Sequence, residues 1–313
     1  MGTGTLLIAL LVFGQAHAAD APDAGPTLPP AAEKTLEKWP IATPDPAGCK
    51  DGAAGAIAPG PENCGIRKRY LESKLASPLK VEDAVDAAVD KNSKVVFFGE
   101  DHLFPEGRRA YPELFGLVKK KLPEVDCIFL ECKDPKGTRQ KAIDRYLAGK
   151  GSYPALKDAM GCFNSTQSLL DFAKSQHLKV IPVDTEGGLD PRNEFMTDQI
   201  AKRLDASACH KGIMPVGKRH VSGERSIADR LKAKGIGVSS LNVQTSERED
   251  EDMGNEWYRP DCDWNPPRQK ERLGFLTRDA AGPTMEKQLV PTQKPGSWNR
   301  FDATILIPAS PKP

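Results

Sequence analysis

Twice the chain ends a short, unbroken apolar run in glycine and places a histidine three residues further on. Val95-Val96-Phe97-Phe98 leads into Gly99-Glu100-Asp101-His102, and Ile213-Met214-Pro215-Val216 leads into Gly217-Lys218-Arg219-His220. A continuous apolar run, rather than an alternating one, reads as a strand buried on both faces, the condition of a parallel sheet covered by helices. Glycine lets the backbone turn sharply at the strand end, and the histidine is then held in the loop above the sheet. With 27 glycines and 5 histidines in 313 residues, Gly-x-x-His arises by chance about 0.4 times. Gly14-Gln15-Ala16-His17 also matches, inside a segment of different character. The other two stand between strand-like and helix-like segments, in equivalent places of two halves.

The pattern around them alternates. A short helix is expected over 81–89 and a strand over 95–98. A helix follows with Tyr111, Leu114, Phe115, Val118 and Leu122 at helical spacing, closed by Pro123. Further strands are expected over 127–130, ending at Glu131, over 178–183, ending at Asp184, and over 212–216, 238–243 and 303–307. Helical patterns lie between them at 138–147, 153–160, 166–177 and 194–204, and around Ile227, Ala228 and Leu231 before the helix-stopping Gly235. Strands alternating with helices predict an α/β fold, a mainly parallel sheet flanked by helices, built from two related strand–Gly-x-x-His–helix–strand halves.

The first eighteen residues, apolar from Leu6 to Phe13 and closing on Ala16-His17-Ala18, read as an export signal and predict a periplasmic or secreted product. That run is far short of the roughly 20 residues a membrane-spanning helix needs, and no other segment is apolar enough. Residues 19–77 form a Pro/Ala-rich leader with little to bury, and nine of the 27 prolines fall within 19–65. The α/β domain is expected over 78–313, with an irregular insertion at 246–302. Within it, Glu256-Trp257-Tyr258-Arg259-Pro260 and Trp264-Asn265-Pro266-Pro267 are stiff and aromatic, suited to a lid or to packing on the core.

Lys plus Arg number 44 against 43 for Asp plus Glu, so no bulk charge points to nucleic acid or to a membrane surface. Seven cysteines without Cys-x-x-Cys spacing fit disulfides in an oxidising compartment rather than a zinc ribbon or a thioredoxin centre. Cys49 and Cys64 flank a flexible stretch and can close it; the other pairings are open. The absence of Gly-x-Ser-x-Gly, Gly-x-Gly-x-x-Gly and Walker patterns argues against a serine hydrolase of the usual α/β kind and against nucleotide cofactors.

In open α/β sheets ligands gather above the carboxyl ends of the strands. There the sequence supplies Glu100, Asp101, His102, Glu131, Asp184 and His220. Two imidazoles with one or two carboxylates suit a divalent metal (Mn, Co, Zn or Fe) that would make hydroxide available near neutrality. The same groups also suit metal-free general-base attack of water on a carbonyl. His177 and His210 are expected at the surface.

These residues resemble the superfamily that joins TIKI proteases, TraB/GumN proteins, erythromycin esterases and ChaN-like haem-binding proteins. The likeness rests on both Gly-x-x-His motifs and Glu131. It is supported by the segment from Gln140 through Asp144 and Tyr146 to Gly149, and by Arg192-Asn193-Glu194-Phe195-Met196. The run from Val216 to Val238 and the closing Phe301-Asp302-Ala303 support it too. It covers roughly residues 78–245 and the last strand. It implies a shared fold and a pocket holding His102, His220, Glu100 and Glu131 as catalytic residues or metal ligands. The expected activity is that of an exported metal-dependent hydrolase acting on a peptide or small ester substrate. The alternative it implies is a periplasmic haem-binding protein without catalysis, for which Tyr111, Tyr146 and Tyr258 are the available tyrosine ligands.

Overall fold

The computed structural model describes residues 74, 76–100, 106–160, 166–222, 225–245, 272–277 and 301–307. His102, the export-like segment, nearly all of the leader, most of 246–302, and Cys49, Cys64, Cys162 and Cys262 lie outside them. The described residues all fall within one compact unit, Thr43–Pro313.

In chain order the elements are α1 (Val81–Ala88), β1 (Val95–Glu100), α2 (Glu106–Arg109), α3 (Tyr111–Lys121), β2 (Val125–Lys133), α4 (Thr138–Leu147), α5 (Tyr153–Met160), α6 (Gln167–Ser175), β3 (Lys179–Asp184), α7 (Leu189–Asp205), β4 (Lys211–Gly217), α8 (Lys218–Ser222), α9 (Ile227–Ala233), β5 (Val238–Thr245), β6 (Leu273–Leu276) and β7 (Ala303–Ile307). The strands form one seven-stranded sheet in the order β3-β2-β4-β1-β5-β7-β6, parallel except for the antiparallel edge pair β6–β7. The mainly parallel sheet flanked by helices is therefore as the sequence predicts. None of the described helices is long and apolar enough to cross a membrane.

Strand alternation sorts the apolar side chains onto two faces. Val96, Phe98, Ile128, Leu130, Ile213, Leu241 and Val243 join α1, α3 and α6 in the first core. Val95, Phe97, Cys127, Phe129, Met214 and Val216 join α7 and α9 in the second. From β1 the chain runs across the sheet to β2, and from β4 it runs the opposite way to β5. One crossover hand taken in opposite directions puts the two helical layers on opposite faces. The neighbouring strands β1 and β4 thus form the topological switch point, at whose carboxyl ends ligands gather in open α/β sheets. Both motifs start there, with Gly99 paired to Val216 and Glu100 to Gly217.

Local chemistry sets the helix ends. Thr166 caps α6 by accepting from the Leu169 amide, Ser226 caps α9 by accepting from Asp229, and Gly235 takes φ +75° just past α9. A disulfide joins Cys127 on β2 to Cys209 before β4, pinning neighbouring strands near their amino ends, away from the switch-point loops. His177 and His210 are exposed, as expected, and His210 pairs with Asp126.

One expectation is corrected. The stretch read as wholly irregular holds the edge strand β6, at Leu273–Leu276. Four residues with a central glycine carry no strand pattern by themselves. Pairing with β7 and a bridge from Leu79 hold them in the sheet. Gly274 is required by close packing, since a Cβ there would lie 2.4 Å from the Ala84 Cβ on α1.

Candidate functional site

At the switch point His220, in the first turn after β4, is buried, and both its ring nitrogens face oxygen acceptors. Nδ1 meets Asn193 Oδ1 on α7, and Nε2 lies 3.1 Å from Glu131 Oε1 at the end of β2. The amide nitrogen of Asn193 donates to the Arg225 carbonyl, so its oxygen is left to receive the imidazole N–H. Glu131 projects into the second face because Leu130 before it and Cys132 after it belong to the first core. Its other oxygen accepts from the Gly217 amide at 2.8 Å, which ties the carboxylate to the turn that delivers His220.

Arg192, in the first turns of α7, closes the arrangement. Its guanidinium donates to Glu131 Oε1 at 2.6 Å and to both oxygens of Asp184, from Nε at 2.9 Å and from Nη2 at 2.7 Å. Asp184 also accepts from the Thr185 amide. The hydrogen-bonded Asp184 carboxylate, with Glu131 adding to it, raises the Arg192 pKa above its ordinary value despite partial burial. Asp184 therefore holds the cation that holds Glu131.

Glu100 lies on the opposite face, with Val96 and Phe98. Arg108 on α2 donates to it at 3.2 Å, and the buried Tyr111 hydroxyl on α3 donates to its second oxygen. Burial first, then the Glu100 charge and hydrogen bond, push the Tyr111 pKa well up, and the Glu131 charge adds to this. The structure brings together Glu131 and His220. It sets Glu100 on the other face in an ion pair with Arg108, and His102 lies outside the described residues. Sequence reasoning did not assign Arg192, Asn193 or Arg108 to the site, and it offered Tyr111 only as a haem ligand. The signal for the first two was their place in the Arg192–Met196 segment singled out above.

The glycine opening the first motif has a reason other than the turn. Neither Gly99 nor Gly217 has positive φ; Gly99 is the last residue but one of β1, and Gly217 ends β4. A Cβ at Gly99 would lie 2.5 Å from the Phe301 ring, which crosses to it from the start of β7. Gly99→Ala should cost about 1–3 kcal/mol through this overlap. Chemical denaturation checks it: Gly99→Ala combined with Phe301→Leu should recover most of the loss.

Among the described residues the donors at the switch point do not by themselves offer a divalent metal a site, and His102 lies outside them. Guanidinium groups sit against Glu131 and Glu100, where a cation would be repelled. Asp126, Cys127 and Cys209 are the described residues whose ligand atoms cluster, and there the two sulfurs are bonded to each other. Haem fits no better. Iron would take a tyrosinate or a histidine; the Tyr111 hydroxyl is bound to Glu100, that of Tyr146 to Asp171, and the buried His220 ring lies between Asn193 and Glu131. Tyr258 lies outside the described residues.

Burial and then the Asp171 hydrogen bond push the Tyr146 pKa up to about 12. A raised folded-state pKa stabilises the fold while the phenol is protonated. That contribution is present below the unfolded tyrosine value of about 10 and is lost as pH rises towards 12. The melting-temperature gap between wild type and Tyr146→Phe should therefore narrow from pH 9 to pH 12; a constant gap would contradict the assignment.

No family model and no curated protein matches the sequence. Similar solved structures include RRSP, an effector domain of a MARTX toxin from Vibrio vulnificus, at 24% identity and TM-score 0.41, covering 54% of this chain and 37% of that one. A structure described as bacterial protein toxins matches at 20% identity and TM-score 0.40, covering 56% and 39%. The type III effector HopBA1 matches at 12% identity and TM-score 0.40, covering 74% of this chain and 95% of that one. The chain spans well under half the length of the first two.

Proposed function

We propose that this chain is a hydrolase that adds water to a carbonyl substrate, a peptide or an ester, with His220 and Glu131 handling the proton. The reading also places it in the TIKI, TraB/GumN, erythromycin esterase and ChaN-like superfamily that its motifs resemble. The observation that carries the proposal is the buried His220 ring, fixed between Asn193 and Glu131 just past the end of β4.

In the proposed reaction, water oxygen attacks the carbonyl carbon and its proton passes to the His220–Glu131 pair as the carbonyl becomes an oxyanion. When the intermediate collapses, the bond to the amine or alkoxide breaks and the leaving group takes that proton. Arg192 donates to Glu131 beside the ring, and Asn193 fixes the ring's orientation, the role a third group plays in catalytic triads. Glu100, held by Arg108 and Tyr111, is assigned to positioning at the sheet edge, and His102 enters through its motif. No step passes through a metal or haem. The Cys127–Cys209 disulfide supports an oxidising, exported setting.

The test uses purified full-length protein with casein and a panel of p-nitrophenyl esters. Bound metals are measured and haemin is titrated in the same sample. Wild type should turn over at least one substrate class, and His220→Ala should not. A stoichiometric Soret complex with no turnover would replace this reading with the haem-binding one.

A further inference from the structure

Around the Cys127–Cys209 disulfide, far from the switch point, metal-binding atoms already stand together. Both sulfurs and a carboxylate oxygen of Asp126 lie within 4.8 Å of one another. Among the described residues, no arginine or lysine is set against Asp126. Its partner is His210, whose Nδ1 lies 2.9 Å from Oδ2 and whose amide donates to Oδ1 at 2.8 Å. Glu131 and Glu100 are the opposite case, each with a guanidinium against its carboxylate.

The chain's course explains the cluster. Asp126 and Cys127 lie at the start of β2, and Cys209 and His210 immediately precede β4, the strand paired with it. Regular alternation would turn the Asp126 side chain away from that of Cys127. The register between β2 and β4 shifts between Val125 and Cys127, however, so Asp126 is the extra residue of a bulge. A bulge re-aims a side chain, and here it brings the carboxylate to the sulfurs. The cysteines are 0% and 1% exposed, whereas the side chains of Asp126 and His210 are 29% and 69% exposed. The buried bond therefore lies one carboxylate away from water.

We propose that reduction of this disulfide opens a zinc site made by Cys127, Cys209 and Asp126. Water is the fourth ligand, and His210 holds the Asp126 carboxylate in place. Thiolate and carboxylate groups are ordinary zinc ligands in tetrahedral sites, and an imidazole–carboxylate contact outside the ligand set orients them. A dithiol reductant attacks one sulfur, and the mixed disulfide then closes to the reductant's own disulfide. The reductant's two electrons and two protons remain on the chain as two thiols. Zinc binds them as thiolates and releases both protons to solvent. The bond it replaces joins residues 82 apart and ties β2, which carries Glu131, to β4, which delivers His220. Through zinc the same two strands stay tied after reduction. None of this depends on which reaction Glu131 and His220 perform.

The test uses the full chain with zinc or cobalt ions alone. Reduction is by a water-soluble phosphine, which water converts to the phosphine oxide and which competes for metal less than a dithiol. With metal present during reduction, wild type should bind about one equivalent more zinc than Cys127→Ser/Cys209→Ser treated alike. That comparison discounts the other cysteines. Cobalt should give a thiolate-to-metal charge-transfer band that exceeds that of the double variant. His210→Ala should weaken the extra zinc site about 10–100-fold, and Asp126→Asn should weaken it further. Oxidised wild type should take up no zinc there, and reduced wild type should melt at a higher temperature with zinc than without. Four results would each overturn the proposal: equal uptake by wild type and the double variant, equal uptake by the oxidised chain, affinity indifferent to Asp126→Asn, or a reduced chain that stays unfolded in zinc.

Discussion

Arg192→Met is expected to lower the stability of the folded chain by about 3–5 kcal/mol, the usual cost of removing one partner from a buried ionic cluster. The guanidinium is the cation shared by Glu131 and Asp184, whose side chains are 7% and 3% exposed. Methionine fills much of the same volume but leaves two carboxylates facing each other out of water. For a domain of this size the melting temperature should fall by roughly 6–20 °C. The cause is checked by adding Glu131→Gln and Asp184→Asn to Arg192→Met. With both charges gone, most of the loss should return. A triple variant as unstable as Arg192→Met would mean that Arg192 contributes packing rather than charge.

The second large effect is on turnover. His220→Ala should reduce kcat for the wild-type substrate about 10²–10⁴-fold, the range that a positioned acid–base group contributes. KM should change little, because the ring handles a proton and does not grip the substrate. Asn193→Leu should give a smaller loss of the same kind, since the imidazole would keep Glu131 and lose the acceptor that sets its tautomer. Full activity in His220→Ala, with the protein folded, would remove His220 from the chemistry.

Much of the fold was legible because the strands are buried on both faces and therefore apolar throughout. β1 is buried at all six positions and β4 at all seven. β7 matches its expected span, 303–307, because it too is wholly buried. β6 was not legible: four residues paired only with β7 and a single bridge owe their conformation to neighbours distant in sequence. The strand order was hidden for the same reason. Nothing local says that β4 inserts between β1 and β2, yet that insertion sets the switch point. Glu131 and His220 were legible as strand-end residues. Their contact, and the separation of Glu100 onto the other face, follow from strand parity and register, which only the assembled sheet fixes. Arg192 and Asn193 look like ordinary residues at the start of a helix. They become site residues because that helix packs across the end of β2.

The account centres on Glu131 and His220 working as one unit, and a double-mutant cycle on kcat/KM measures this most directly. Glu131→Gln, His220→Ala and the double variant are compared with wild type on one substrate. Groups that act together are strongly non-additive, so the double variant should be little slower than the slower single variant. Losses that simply multiply would show two independent residues, and the coupled pair would have to be abandoned.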